Sequence, residues 1–128
     1  MQRYSKRIVV VDDNEVIRMA LRALLRQAGF NVVGEGRDGD MALDLAARLQ
    51  PDLVCLDVMM PKRNGLEALD ELRAKFPDIK VLMVTGQTDR DSVGEMVRKG
   101  AAGIVVKPFN AARIIELVER TLGLTATQ

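Results

Sequence analysis

Two adjacent carboxylates, Asp12 and Asp13, end an apolar run near the start of the chain. Three further polar side chains, Asp57, Thr85 and Lys107, also directly follow apolar runs. Carboxylates that lie close together repel each other, and this repulsion disfavours their ionised forms. A divalent cation removes that cost, and Mg2+ prefers oxygen ligands, keeps several waters and is often bound by carboxylates together with a phosphate. If these side chains meet in the fold, they predict a magnesium site with room for a phosphate.

The same side chains suit phosphoryl transfer, which depends on positioning and charge neutralisation more than on covalent machinery. A carboxylate can act as the nucleophile and become an aspartyl phosphate. The Lys107 ammonium can neutralise one phosphoryl oxygen, and the Thr85 hydroxyl can donate a hydrogen bond to another. Each residue alone has an ordinary explanation, since an Asp-Asp pair often caps a helix and a Lys-Pro pair often forms a turn. Their joint occurrence after four apolar runs favours the functional interpretation.

The composition limits the chemistry further, because the chain has no histidine and only one cysteine. It therefore has no histidine base, no histidine metal ligand and no phosphohistidine of its own. Cys55 cannot form an internal disulfide, and its apolar neighbours predict a small buried hydrophobic side chain. This cysteine usage fits a reducing compartment, so we expect a cytoplasmic protein.

The length and charge predict one domain without a nucleic-acid or membrane function. The 128 residues suit a single domain over 1–128, with a core at about 6–123 and a frayed tail at 124–128. The 19 basic and 18 acidic residues give a net charge of +1, which argues against direct nucleic-acid binding. No apolar run approaches the roughly 18 residues of a membrane span. The residues after 123 are too few for a DNA-binding module.

Five short apolar runs alternate with helical patterns along the chain. The runs are rich in β-branched residues and do not alternate with polar ones, which is typical of parallel strands buried on both faces. They occupy residues 8–11, 32–34, 53–56, 81–84 and 104–106. The resulting βαβαβαβαβα order predicts an α/β fold in which helices cover both faces of a parallel sheet. The carboxyl ends of the strands then share one edge, to which the second strand contributes Glu35.

The motifs at these strand ends resemble those of the receiver domains of two-component response regulators, including the single-domain chemotaxis type. The resemblance covers about residues 6–123 and depends on VVDD (10–13), LDVMMPKRNG (56–65), VTG (84–86) and VKPF (106–109). It implies a doubly wound, flavodoxin-like sheet of five parallel strands in the order 2-1-3-4-5, with five helices. It also implies a phosphorylation-activated signalling switch, which catalyses only its own phosphorylation and dephosphorylation.

The resemblance implies a metal-dependent phosphoacceptor. Asp57 corresponds to the residue that is phosphorylated, and Asp12 and Asp13 correspond to a metal-binding pair. The Mg2+ ligands would be Asp12, Asp13, Asp57 and the backbone carbonyl oxygen of Met59. The phosphoryl group would come from a phosphohistidine of a sensor histidine kinase or of a histidine phosphotransfer protein. The absence of histidine here agrees with a donor on another chain.

Two further residues correspond to the switch itself. Thr85 matches the hydroxyl that moves towards the phosphoryl group. Lys107 matches the lysine that pairs first with the phosphoacceptor and then with the phosphate, and the peptide before Pro108 is commonly cis. The changed surface around the fourth helix, fifth strand and fifth helix would bind an unidentified output protein. We expect a monomer or a weak, phosphorylation-dependent dimer.

Several positions depart from the family's usual pattern. Ile104 stands where the family often has an aromatic residue, so coupling through rotation of a ring cannot apply unchanged. Arg63 and Asn64 replace the usual Met and Asp after the phosphoacceptor. Asn64 can still cap a helix, whereas Arg63 adds charge near the site and is a candidate for partner contact. Met59 and Gln87 occupy positions that tune phosphate lifetime, and we expect them to alter hydrolysis.

Two alternatives to a phosphorylated switch remain open at this stage. The first is a haloacid-dehalogenase-like phosphatase with an aspartyl-phosphate intermediate. Such enzymes need a second Asp two residues after the nucleophile, where this chain has Met59, and the chain has no cap insertion. The second is a degenerate receiver that binds partners without phosphate. Ile104 favours that reading, and the intact acidic set argues against it.

The first helix carries a basic stripe at helical spacing, formed by Arg18, Arg22 and Arg26. Such a stripe is commonly a solvated helix face. Alternatively, it is a docking surface for a kinase, at which Val16 and Met19 would also be exposed.

Overall fold

The computed structural model describes residues 5–124, and the predicted alternation of strands and helices is confirmed there. The strands are β1 (Arg7–Val11), β2 (Asn31–Gly36), β3 (Leu53–Asp57), β4 (Lys80–Thr85) and β5 (Gly103–Val106). The helices are α1 (Glu15–Gln27), α2 (Gly39–Leu49), α3 (Gly65–Lys75), α4 (Arg90–Arg98) and α5 (Ala111–Thr121).

The five strands form one parallel sheet in the order β2-β1-β3-β4-β5. This confirms the doubly wound α/β fold and the strand order that the family resemblance implies. The register pairs Val11 with Leu56 and Asp57 with Val84, so β1, β3 and β4 end at similar heights. Their carboxyl ends therefore bring distant parts of the chain to one edge of the sheet.

Each strand packs against helices on both faces, which explains its continuous apolar run. In β1, Val9 and Val11 join a core cluster with α2, α3 and α4, whereas Ile8 and Val10 join a second cluster with α1 and α5. Successive side chains of a strand point to opposite faces, so all four must be apolar. Cys55 belongs to the second cluster, and burial raises the pKa of its thiol to about 12, as expected for a structural cysteine.

The first residue of the expected C-terminal tail, Leu124, is fixed by contacts with the rest of the domain. Leu124, which the expected frayed tail includes, donates its backbone N–H to the Glu119 carbonyl oxygen at 2.7 Å and packs against the second cluster. The rest of that expected tail, 125–128, lies outside the described residues. Over the span 5–124, every helix is too short or too polar to cross a membrane.

Candidate functional site

Four of the five side chains predicted to form the site lie at the carboxyl ends of neighbouring strands. Asp12 follows β1, Asp57 ends β3, Thr85 ends β4 and Lys107 follows β5. Asp12, Asp57 and Thr85 are almost completely buried. Burial of a polar group is unfavourable unless other groups compensate for its lost hydration, so the partners of these side chains decide what the site can do.

The fifth predicted residue, Asp13, completes an acidic cluster. One carboxylate oxygen from each of Asp12, Asp13 and Asp57 lies within 4.8 Å of the others. Neither Asp of the pair caps α1, because that role belongs to Asn14, whose side chain accepts a hydrogen bond from the Ile17 N–H at 3.0 Å. The helix-cap explanation of the Asp-Asp pair is therefore wrong. Asp12 Oδ1 accepts from the Asn14 N–H at 2.9 Å, and the exposed Asp13 carboxylate is open to a ligand.

Lys107 sits between the two buried carboxylates. Its Nζ is 3.0 Å from Asp12 Oδ2 and 3.2 Å from Asp57 Oδ1. Burial alone lowers the pKa of Lys107, but hydrogen bonds and charges from Asp12 and Asp57 outweigh it, so its pKa is raised. The ammonium thus stays charged and offsets part of the negative charge of the cluster.

Asp57 is held in an environment that disfavours its charge. Burial, and then the charge of Asp12, raise its pKa to about 6, although Lys107 and the Val58 N–H act in the opposite direction. That N–H donates to Asp57 Oδ1 at 2.8 Å. A divalent cation at the cluster would favour the ionised form of Asp57. The oxygen-only donor set suits Mg2+ better than zinc, since the chain has no histidine and Cys55 belongs to the core.

Thr85 lies beside Lys107 across the β4–β5 pair. The Lys107 N–H donates to the Thr85 carbonyl oxygen at 2.7 Å, and Thr85 Oγ1 accepts from the Gln87 N–H at 2.9 Å. The following peptide, between Lys107 and Pro108, is cis, as the resemblance implies. A backbone hydrogen bond between neighbouring strand ends therefore joins the residues that carry the hydroxyl and the ammonium.

The loop after β3 packs tightly around the phosphoacceptor position. The Gly65 N–H donates to the Val58 carbonyl oxygen at 2.8 Å, and a Cβ at Gly65 would lie 2.0 Å from the Asp57 carbonyl oxygen. A side chain at position 65 would collide with this backbone. The loop also exposes Met59, whose Sδ is 3.5 Å from Gln87 Nε2. The two positions expected to tune hydrolysis thus touch each other, which the sequence did not reveal.

Arg63 is less available to a partner than the sequence suggested. Its Nε lies 3.0 Å from Asp40 Oδ1 in the first turn of α2, and its Nη1 pairs with Glu71 Oε1 of α3. Asn64 forms the expected capping box with Glu67 at the start of α3. Arg63 therefore ties the loop after β3 to two helices.

The basic stripe of α1 packs against β2, so it is not simply a solvated face. Arg18 and Arg22 both form ion pairs with Glu35, and Arg26 donates to the Val32 carbonyl oxygen at 3.1 Å. Glu35 itself lies inside β2, which continues to residue 36 beyond its predicted end. We expected Glu35 to follow the second strand and to contribute to the site edge. That expectation is wrong, because β2 continues to pair with β1 beyond the apolar residues of β2, and Glu35 lies within the paired part.

Apolar residues flagged in the sequence fall into two environments. Val16 and Met19 of α1 are exposed, with 76% and 46% of their surface accessible. Ile104, at the position that is often aromatic in the family, is partly buried and packs against the cluster under α2, α3 and α4. It therefore lies at the margin of the core and keeps part of its surface exposed.

Comparison with known proteins gives one consistent result. The family model for the response regulator receiver domain matches residues 8–119. Protein CcdB of Bacillus subtilis is 38% identical over 117 residues, which cover 91% of this chain and 98% of that protein. Chemotaxis protein CheY of Thermotoga maritima is 33% identical over 116 residues, with coverage of 91% and 97%.

Solved structures agree with the sequence comparison. The response regulator domain of Thermotoga maritima CheB superposes with a TM-score of 0.85 at 31% identity, covering 94% of this chain and 98% of that one. The CheY-like receiver domain protein of Methanospirillum hungatei has a TM-score of 0.87 at 25% identity, with coverage of 92% and 94%. The chain therefore belongs to the response regulator receiver domain family, whose general function is phosphorylation-dependent switching.

Proposed function

We propose that this chain is a phosphorylation-activated switch in which Asp57 accepts the phosphoryl group and a partner-binding surface changes in response. The observation that carries the proposal is the position of the Asp57 carboxylate. Its Oδ1 is 3.2 Å from the Lys107 ammonium, and it shares a cluster with Asp12 and Asp13. A nucleophile, a cation for phosphoryl oxygens and a metal-binding pair lie together, as phosphoryl transfer requires.

Mg2+ fits this site as the cofactor. The ligands would be Asp12, Asp13, Asp57 and the backbone carbonyl oxygen of Met59. When bound, the ion neutralises charge on the carboxylates and on the phosphoryl oxygens. The raised pKa of Asp57 supports the assignment, because it reflects a buried carboxylate whose ionised form lacks sufficient compensation from the protein alone.

The phosphoryl group would come from a phosphohistidine on a sensor histidine kinase or a histidine phosphotransfer protein, since this chain has no histidine. A carboxylate oxygen of Asp57 forms the new O–P bond as the N–P bond breaks. The donor imidazole keeps that electron pair and takes up a proton. Lys107 remains an ammonium and balances charge on the transferred group. Water later hydrolyses the acyl phosphate, so the chain catalyses only its own phosphorylation and dephosphorylation.

Phosphorylation would shift an equilibrium between two conformations. Lys107 can turn from Asp12 and Asp57 towards one phosphoryl oxygen, and the Thr85 hydroxyl can donate a hydrogen bond to another. Movement of Thr85 displaces the loop that leads into α4. Because Ile104 is aliphatic and packs against the core, its packing would transmit that shift in place of ring rotation. The surface of α4, β5 and α5 would then bind an output protein.

The proposal includes a cellular setting and an assembly state. It describes one cytoplasmic receiver domain over 1–128, with its core at about 6–123, acting as a monomer or a weak, phosphorylation-dependent dimer. The family match over residues 8–119 supports the domain assignment. The net charge of +1 supports an output through protein contacts rather than direct nucleic-acid binding.

Intact-mass measurement after incubation with Mg2+ and a small acyl-phosphate donor tests the proposal. The chain has no tryptophan for a fluorescence readout. We expect one phosphoryl adduct on the wild type, none on Asp57→Ala, and an unchanged adduct on Asp78→Ala, which removes an exposed Asp on the loop before β4. The adduct should also require Mg2+. A folded wild type without an adduct would favour the degenerate receiver instead.

The phosphatase alternative is tested in the same assay. Haloacid-dehalogenase-like enzymes need an Asp two residues after the nucleophile, and Met59 occupies that position with its side chain 64% exposed. We therefore expect stoichiometric phosphorylation of the chain without sustained turnover of small phosphoesters. Continued release of phosphate over many equivalents would support the phosphatase.

A further inference from the structure

Arg18 connects the basic stripe of α1 to the acidic cluster. Its Nη1 donates to the Asp12 carbonyl oxygen at 2.9 Å, and its Nε lies 3.3 Å from Glu35 Oε1. Only 16% of the Arg18 side chain is exposed. A guanidinium can hold two acceptors in a fixed planar arrangement, which an ammonium cannot.

Both backbone polar groups of Asp12 are therefore held by hydrogen bonds, its N–H by β2 and its carbonyl oxygen by Arg18. The Asp12 N–H donates to the Gly36 carbonyl oxygen at 3.0 Å, which continues the β1–β2 ladder. The Asp12 carbonyl, beyond the end of β1, is held by Arg18. That carbonyl sets the orientation of the peptide leading into Asp13, so it sets the direction in which the exposed Asp13 carboxylate leaves the backbone.

Glu35 keeps the Arg18 guanidinium in place. It lies inside β2 opposite Val10 of β1 and also pairs with Arg22, whose Nη1 is 2.6 Å from Glu35 Oε2. Arg22 lies about one helical turn after Arg18 on the same face of α1. Arg18 and Arg22 both pair with the Glu35 carboxylate. Arg18 differs from Arg22 in its additional hydrogen bond to the Asp12 carbonyl oxygen.

We propose that Arg18 is a positioning residue that aims the Asp12 and Asp13 carboxylates at the metal, with Glu35 as its anchor. This inference rests on the proposed function, because it needs Mg2+ to bind this cluster. Groups behind metal ligands typically change metal affinity on the order of 10–100-fold when they are removed. The effect here falls near the lower limit, because Arg18 holds a backbone carbonyl rather than a ligand side chain.

A purely electrostatic role predicts the opposite sign. Arg18 and Arg22 are cations near a site for a divalent cation, so removing either charge should strengthen Mg2+ binding slightly. A positioning role predicts weaker binding for Arg18→Gln alone. Arg22→Gln is therefore a matched control that removes the same charge from the same Glu35 and spares Asp12.

The experiment measures Mg2+ affinity by isothermal titration calorimetry on the full-length wild type, Arg18→Gln, Arg22→Gln and Arg18→Lys. We expect about tenfold weaker binding for Arg18→Gln, wild-type or slightly tighter binding for Arg22→Gln, and an intermediate value for Arg18→Lys. Thermal unfolding without Mg2+ checks that each variant is folded. Arg18→Gln should be the less stable of the two glutamine variants, since it loses the hydrogen bond to the Asp12 carbonyl as well as one ion pair to Glu35.

Two results would overturn the inference while leaving the proposed function intact. One is Mg2+ binding by folded Arg18→Gln as tight as that of the wild type. The other is an equal loss of affinity in Arg18→Gln and Arg22→Gln, which would assign the effect to Glu35. If the folded wild type binds no Mg2+, the proposed function fails, and this inference fails with it.

Discussion

The loops that leave β3 and β4 start from neighbouring strands, but they are held in opposite ways. After β3, a Cβ at Gly65 would lie 2.0 Å from the Asp57 carbonyl oxygen. After β4, a Cβ at Gly86 would meet nothing within 4 Å. Arg63 adds ion pairs from the first loop to α2 and α3. The acceptor side of the site is therefore closely packed, whereas the switch side has room to move.

The helices that follow these loops continue the contrast. Helix α3 buries four residues, which are Gly65, Ala68, Leu69 and Leu72. Helix α4 buries only Met96. Regions with few buried contacts open at a lower free-energy cost than the rest of a protein. A fixed Asp57 carboxylate beside a loosely attached helix suits the proposed switch, because the chemistry needs accurate geometry and the response needs displacement.

The largest expected effect comes from adding one methyl group on the packed side. Gly65→Ala would place its Cβ against the backbone of Asp57 and Val58, which cannot move without displacing the Asp57 carboxylate. We expect the free energy of unfolding to fall by about 3 kcal/mol or more. Gly86→Ala should stay within about 1 kcal/mol of the wild type. Urea unfolding measures both, and similar losses in the two variants would break the comparison.

The second prediction concerns the ionisation of Asp57, which lies on the packed side of the site. The pKa of Asp57 is raised from 3.8 to about 6, chiefly by burial and then by Asp12. The folded state therefore binds this proton more tightly than the unfolded chain, and the wild type loses stability as the pH rises from about 4 through about 6. Asp57→Asn cannot ionise and avoids this loss. Its advantage should be absent below about pH 4 and reach about 2–3 kcal/mol above about pH 6.

Urea unfolding without Mg2+ across this pH range measures that advantage. Asp78→Asn serves as the control for removing one exposed carboxylate from the chain. An advantage of Asp57→Asn that does not change with pH, or that shrinks as the pH rises, would contradict the prediction.

The smallest expected effect concerns the ion pairs of the packed loop. Arg63→Met removes the pairs with Asp40 and Glu71, but the Arg63 side chain is 35% exposed, so solvent weakens both. We expect a loss of about 1 kcal/mol in unfolding free energy that shrinks in roughly 1 M salt. Arg90→Met, at the exposed start of α4, should change stability by less than about 0.5 kcal/mol. Equal losses of unfolding free energy in Arg63→Met and Arg90→Met would show that ion pairs do not contribute to the difference between the two loops.

The strand ends were the most predictable part of the site. A strand buried on both faces needs a continuous apolar run, so the first charged residue after the run marks its end. Because parallel strands end at one edge, Asp12, Asp57 and Lys107 were expected to meet, and they do. The end of β2 was predicted too early, since Glu35 and Gly36 are not apolar but still pair with β1 at the edge of the sheet.

The partners of long side chains were not predictable in the same way. The arginines of α1 were expected to be solvated or to dock a kinase, yet Arg18 reaches both Asp12 and Glu35. Arg63 was considered for partner contact, yet it pairs with Asp40, which is 23 residues away in the chain. A flexible side chain can select among several acceptors, and sequence spacing does not say which of them packing brings within reach.

By itself, the sequence determined the order of strands and helices, the polar residues at the strand ends and the chemistry available there. Local apolar periodicity and side-chain type decide these features. Only the tertiary structure decided that Asn14, rather than Asp12 or Asp13, caps α1, that Lys107 bridges two carboxylates, and that one loop is packed while its neighbour is open. These features depend on distances between residues that are remote in the chain, and packing sets those distances.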